Sequence, residues 1–302
     1  MKDFLVKVVV PVMAVVIGLL ITVELIARNK STDSYKIKSE YLEQHAEEIE
    51  LLVLGPSGAG FGIKPDELDK KSFNCAGLMQ SLLYDHHIFK KYFNRFRSLK
   101  YLVLDINFIG LHVNRICPGY DGESKIIHYS IHFDAPFYKK NFWDYKLKVQ
   151  KNLLSLRKEE IPECDENGFL TFYPNGKDFK VEAANTANYY NEMVKRTPDS
   201  VYKDNLLLLE EILTICKSRG IKVIILTFPT VYISEFINPE YYSEMQQSLS
   251  DLQEKYDFVY ENYTDSNLFE LSDFYNANHL NPRGAVKLTR MLNDSIRKWE
   301  GR

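Results

Sequence analysis

Three short, largely apolar runs constrain this chain more than any other feature. Leu51-Leu52-Val53-Leu54 leads straight into Gly55-Pro56-Ser57. Tyr101-Leu102-Val103-Leu104-Asp105-Ile106 precedes Asn107, and Ile221 to Phe228 (IKVIILTF) stops at Pro229. Strands that are apolar on both faces are buried on both, the condition of a parallel sheet covered by helices. Ser72–Cys75 and Phe258–Tyr260 add two shorter strands. Helical spacing between Ser81 and Phe96, from Asn205 to Lys217, and from Tyr241 to Tyr256 supplies the intervening helices, the second stopped at Gly220. This alternation predicts an α/β fold: a parallel-sheet three-layer sandwich. Sites in such sheets lie at the carboxyl ends of the strands, so Ser57, Asn107 and the Pro229 loop share one rim.

With 302 residues, 45% of them hydrophobic, the chain is long enough for one such domain, expected over 49–302. Residues 111–200 break the alternation. They are rich in tyrosine and phenylalanine, carry a turn at Asp165-Glu166-Asn167-Gly168, and read as a long insertion over or beside the site. At the other end, Val8 to Val23 holds no charge and is bracketed by Lys7 and Glu24. As a helix it spans roughly 24 Å, close to the ~30 Å of a bilayer core. No small-x-small cleavage site follows it, so residues 1–28 read as an uncleaved, single-pass transmembrane helix. Lys2 and Lys7 favour a cytoplasmic start and an extracytoplasmic domain, although Arg28, Lys30, Lys36 and Lys38 compete. The polar stretch 29–48 reads as a juxtamembrane stalk.

A net charge of -3 supplies no basic field for nucleic acid, and no glycine-rich phosphate loop follows a strand. The four cysteines form no C-x-x-C pair, which argues against zinc, while Cys117 and Cys164 flank loops and could pair. His86 and His87 are neighbours on a helix and read as a solvated face. His128 and His132 have a chelating spacing only if helical, and the residues between them read equally as strand. Tyr84 and Asp85 could line a glycan site or lie in the core. No metal and no cofactor is expected.

Two segments carry chemistry. Gly55-Pro56-Ser57-Gly58-Ala59-Gly60 puts a serine at a sharp strand exit among small neighbours, as a nucleophile requires. It lacks the G-x-S-x-G spacing of the α/β-hydrolase elbow. Asp273-Phe-Tyr-Asn276-Ala-Asn278-His279-Leu-Asn281-Pro282 ends in a helix start, with Asn281 as N-cap and Pro282 at the first turn. His279 is thereby pinned on a rigid loop, as a general base must be.

Together these segments resemble the SGNH (GDSL-like, flavodoxin-like) hydrolases, which pair a serine after the first strand with a D-x-x-H motif near the carboxyl terminus. The longer runs LLVLGPSGAGFGIKP and NANHLNPRGAVKLT are similar to the membrane-anchored DltD and alginate-acetylation branch. The resemblance covers roughly residues 50–110 and 203–298. It implies Ser57 as nucleophile, His279 as base, and an oxyanion site formed by the N–H of Ser57, the N–H of Gly77 and Asn107. It further implies a cell-surface glycan or polymer as substrate and a membrane acyl-donor protein as partner. The chain departs from the pattern in two places. Asn276 stands where the family has an aspartate three before the histidine, and the third block is reduced to Asp105-Ile106-Asn107. Three outcomes stay open: Asn276 orients His279, Asp273 does so instead, or the site is dead and the chain is an inactive binding or assembly subunit.

Overall fold

The computed structural model describes residues 5–30, 34–114, 123–135, 163–171, 175–264 and 266–301. Five parallel strands form its centre: β1 (Leu51–Leu54), β2 (Ser72–Asn74), β3 (Tyr101–Asp105), β4 (Lys222–Thr227) and β5 (Phe258–Asn262), in the order β2-β1-β3-β4-β5. The α/β expectation holds. Leu52 pairs with Leu102 and Leu102 with Val223, so the three apolar runs lie side by side in register.

Because successive strand side chains point to opposite faces, each run feeds two cores. Leu52, Leu54, Leu102, Leu104, Val223 and Ile225 join one. Its cover is α2 (Ser34–His45), α4 (Leu82–Tyr92), α7 (Ser200–Ser218) and α8 (Pro239–Gln253). Leu51, Val53, Val103, Ile224 and Leu226 join the other, against α3 (Ser57–Gly62) and α9 (Pro282–Glu300). Within α9, Ala285, Leu288, Leu292 and Ile296 recur at helical spacing on the buried side. This is the three-layer arrangement.

Two expectations need correction and one open choice closes. The polar stretch 29–48 is not wholly a stalk: α2 lies on the sheet and buries Tyr35, Lys38, Leu42 and, just beyond it, Ala46. Lys38 donates to the Ala76 carbonyl, which satisfies its charge-bearing end inside the protein. Of the two places left open for Tyr84 and Asp85, they take the core, each 2% exposed. His86 and His87 do not face open solvent; their Nε2 atoms meet Glu211 at 2.8 Å and the Phe133 carbonyl at 3.0 Å.

The expected insertion contains, where described, α5 (Glu123–Phe133), α6 (Phe179–Arg196) and a bridge between Cys164 and Leu170. Cys117, one half of the suggested cysteine pair, lies outside the described residues. His128 and His132 do fall on a helix, with rings 6.1 Å apart. Among the described residues no group of His, Cys, Asp or Glu could hold a metal ion.

Near the amino terminus, α1 (Val10–Lys30) exposes Val12, Met13, Val15, Val16, Ile17, Leu19, Ile21 and Leu25. Among the described residues no helix is long and apolar enough to cross a membrane.

Candidate active site

The site is assembled where β1 ends and a small hairpin precedes α9. After Leu54 the chain reverses at Gly55, whose φ of +134° suits only glycine; a Cβ there would lie 2.6 Å from that of Asp105. Pro56 is extended, and Ser57 opens α3 half-buried at the sheet's carboxyl rim. The second loop is built by β6 (Phe274–Asn276) and β7 (His279–Leu280), antiparallel, with Asn276 opposite His279.

Asn281 then caps α9, accepting from the N–H groups of Arg283 at 3.0 Å and Gly284 at 3.2 Å. Its own N–H donates to the Asp273 carbonyl at 2.9 Å. The two segments are tied together away from the chemistry as well. Lys64 N–H, just after α3, donates to Thr289 Oγ1 of α9 at 2.9 Å.

These ties bring His279 Nε2 to 2.9 Å from Ser57 Oγ. On the far side of the ring, Nδ1 stands 3.1 Å from Asn276 Oδ1. The same Oδ1 accepts the N–H of Asn278 at 2.9 Å. A backbone N–H can only donate, so it fixes which end of the amide faces the ring: the oxygen. An oxygen acceptor places the imidazole proton on Nδ1 and leaves the Nε2 lone pair directed at the serine. The arrangement is the tautomer that a base needs, reached without a carboxylate.

His279 is 6% exposed, with the Phe61 ring edge-on at 5.2 Å. Burial, which costs the charged ring its hydration, pulls its pKa down to about 3. At neutral pH the ring is therefore unprotonated and competent to accept a proton, although its cation is poorly stabilised.

Asp273 does not stand behind the ring. It is fully buried, with Oδ2 accepting from Glu270 N–H at 3.0 Å and Lys287 Nζ at 3.2 Å, and Oδ1 3.0 Å from Arg283 Nε. These contacts hold the start of α9, and the side chain that meets Nδ1 is that of Asn276. Gly77 also differs from its expected role. Its N–H donates to the Gly55 carbonyl at 3.0 Å and braces the serine turn, so in this conformation it is not aimed at an oxyanion.

Asn107 accepts from Ile109 N–H through Oδ1 at 3.3 Å, which leaves Nδ2 as its donating end. It lines a small cavity with Pro56, Gln80, Ser81 and Asp105. The N–H groups of Ser57 and Gly58, at the first positions of α3, have no carbonyl to pair with inside the helix. Phe61, on the imidazole, gave no signal in the sequence; Asp85 and Asp105 stood out there, but their place beneath the serine turn did not. A charged residue closing an apolar strand was the available signal for Asp105.

No family model and no curated protein matches the chain. Among solved structures it is similar to a protein provisionally named an acylhydrolase from Bacteroides fragilis NCTC 9343. The two are 11% identical over 86% of this chain and 95% of that one, with a TM-score of 0.44. A second, provisionally named a platelet activating factor from Streptococcus pneumoniae, is also 11% identical, over 95% and 99%, with a TM-score of 0.42. Likenesses this distant carry no argument about chemistry, which rests on the serine–imidazole–amide contacts themselves.

Proposed function

We propose that the chain is a serine-dependent acyl-transfer enzyme of the SGNH hydrolase kind, acting on esters of a cell-envelope polysaccharide or related surface polymer. The observation that carries this is the relay Ser57 Oγ–His279 Nε2 with Asn276 Oδ1 behind Nδ1. Ser57 Oγ attacks the ester carbonyl while its proton passes to Nε2. The oxyanion forms beside the Ser57 N–H, with Asn107 Nδ2 as second donor. Collapse breaks the bond to the alkoxide, which takes the proton from His279 and leaves an acyl-serine. A water or a sugar hydroxyl then repeats the sequence in reverse and frees the serine. None of these steps calls for a metal or a cofactor.

The exposed apolar run of α1 favours attachment to a membrane surface; an extracytoplasmic domain and an acyl-donor protein as partner are what the resemblance to the SGNH family adds to this reading. A catalytically inactive assembly subunit is the second reading, favoured by the amide where a carboxylate would stabilise the imidazolium.

Labelling with a serine-directed fluorophosphonate and hydrolysis of p-nitrophenyl acetate separate the two. The enzyme takes label and turns over ester; Ser57→Ala abolishes both, and His279→Ala lowers turnover by about 10³-fold or more. Wild-type protein that takes no label and turns over no ester supports the inactive subunit and sinks the enzyme.

A further inference from the structure

The turn that carries Ser57 rests on two buried carboxyls that take no part in the relay. Helix α3 begins at Pro56, which has no side-chain acceptor for the first N–H groups. The missing acceptor comes from 46 residues away: Asp105 Oδ2, at the end of β3, takes the N–H of Ala59 at 3.1 Å. The approach is close. A Cβ on Gly58 would lie 2.5 Å from this same oxygen. At the other end of the turn, Gly55 N–H donates to Asp85, which also receives Gln80 Nε2 at 2.6 Å. Ser57 thus sits midway between two donors, Gly55 and Ala59, each ending on a carboxyl from a different element.

We propose that Asp105 is a positioning residue for acyl transfer: it caps α3 from the neighbouring strand and so fixes the direction in which Ser57 Oγ meets the imidazole. The inference rests on the acyl-transfer reading of the site. Asp105 lies under the turn, bonded to Ala59 and packed against Gly55 and Gly58, and its part is geometric. Burial and the nearby Asp85 carboxyl both push its pKa well up, so the group works as a neutral acid. What α3 requires of it is then an oxygen at one position, which an amide supplies equally well. The glycine at 58 is explained by the same contact, since a side chain there would displace the carboxyl.

The test uses the full-length chain with p-nitrophenyl acetate, each variant assayed well below its melting midpoint. Asp105→Asn keeps the acceptor and the volume, and its kcat stays within about 3-fold of wild type. Asp105→Ala removes the cap, and kcat falls about 10-fold or more while KM changes less than about 2-fold, as expected when the nucleophile is misplaced and binding is not. The rate of fluorophosphonate labelling falls by the same factor.

Should Asp105→Ala not fold, Gly58→Ala carries the test. It leaves Asp105 in place and drives a methyl against Oδ2, again lowering kcat with KM held. Wild-type kcat in Asp105→Ala or in Gly58→Ala overturns the inference. So does an Asp105→Asn variant as damaged as the alanine, because charge and not shape would then matter. Wild-type protein without turnover or label overturns this inference together with the acyl-transfer reading; normal turnover that the variants do not disturb overturns this inference alone.

Discussion

Asn276 sets the character of the site. Its carbonyl, locked by the N–H of Asn278, gives His279 the correct tautomer but no negative charge. With a pKa near 3, His279 stays unprotonated far below neutrality, so kcat/KM of the wild type is expected to hold level from pH 8 to about pH 5. Asn276→Asp keeps the hydrogen bond and adds the charge. It raises the His279 pKa, moves the acid limb of the pH–rate profile upward, and increases kcat at pH 8 by about 10-fold or more. A profile and kcat identical to wild type would show that the amide is not the orienting group. The meeting of Ser57 with His279 was legible because each sits at a local signal, a glycine-rich strand exit and a capped helix start. The choice between Asn276 and Asp273 was not, because both precede His279 by a few residues and only the hairpin pairing decides which side chain meets the ring.

Helix α9 is the element that brings the base to the nucleophile, and its start carries more than one duty. Asn281 satisfies two of its N–H groups and, through Nδ2, bonds the Ser272 carbonyl at 2.8 Å. Asn281→Ala is expected to cost about 1–2 kcal/mol of stability, read by urea unfolding, and to lower kcat because His279 lies two residues upstream. Asp273→Asn removes the buried carboxylate but leaves Arg283 and Lys287 in reach of water, so it costs about 1–2 kcal/mol, with kcat close to wild type in the folded fraction. A loss of kcat near 10³-fold would instead return Asp273 to the catalytic group. Asn281 and Pro282 could be read from the sequence, since caps are local chemistry. The burial of Asp273 could not, because it depends on Arg283 and Lys287 folding back from the helix that follows.

At the scale of the molecule, the sheet was the legible part, because strands buried on both faces are written as continuous apolar runs. The second helix was hidden: Tyr35, Leu42 and Ala46 are its few apolar contacts, scattered among charges, and the burial of Lys38 is visible only once Ala76 lies beside it. His279 and Asp85 are two of the buried groups that shape the dependence of stability on pH. Unfolded, an imidazole takes its proton below 6.5, whereas folded His279 waits until about 3; its contribution is present above 6.5 and lost as pH falls toward 3.

Asp85 runs the other way. Its burial raises the pKa from 3.8 to about 7, so its contribution is present below 3.8 and lost as pH rises through 7. Replacing it with asparagine removes only the second effect. The wild type should therefore exceed Asp85→Asn in melting midpoint by more at pH 4.5 than at pH 7.5, by several degrees if on the order of 1–2 kcal/mol is involved. An equal gap at both pH values would mean that Asp85 does not keep its proton in the folded state.

Ser57 and His279 lie 222 residues apart, and α3, which opens with the serine, packs on the same α9 that follows the imidazole. On the acyl-transfer reading, a chain cut short ahead of α9 would therefore lose the packing under its serine and the anchorage of its base in a single step.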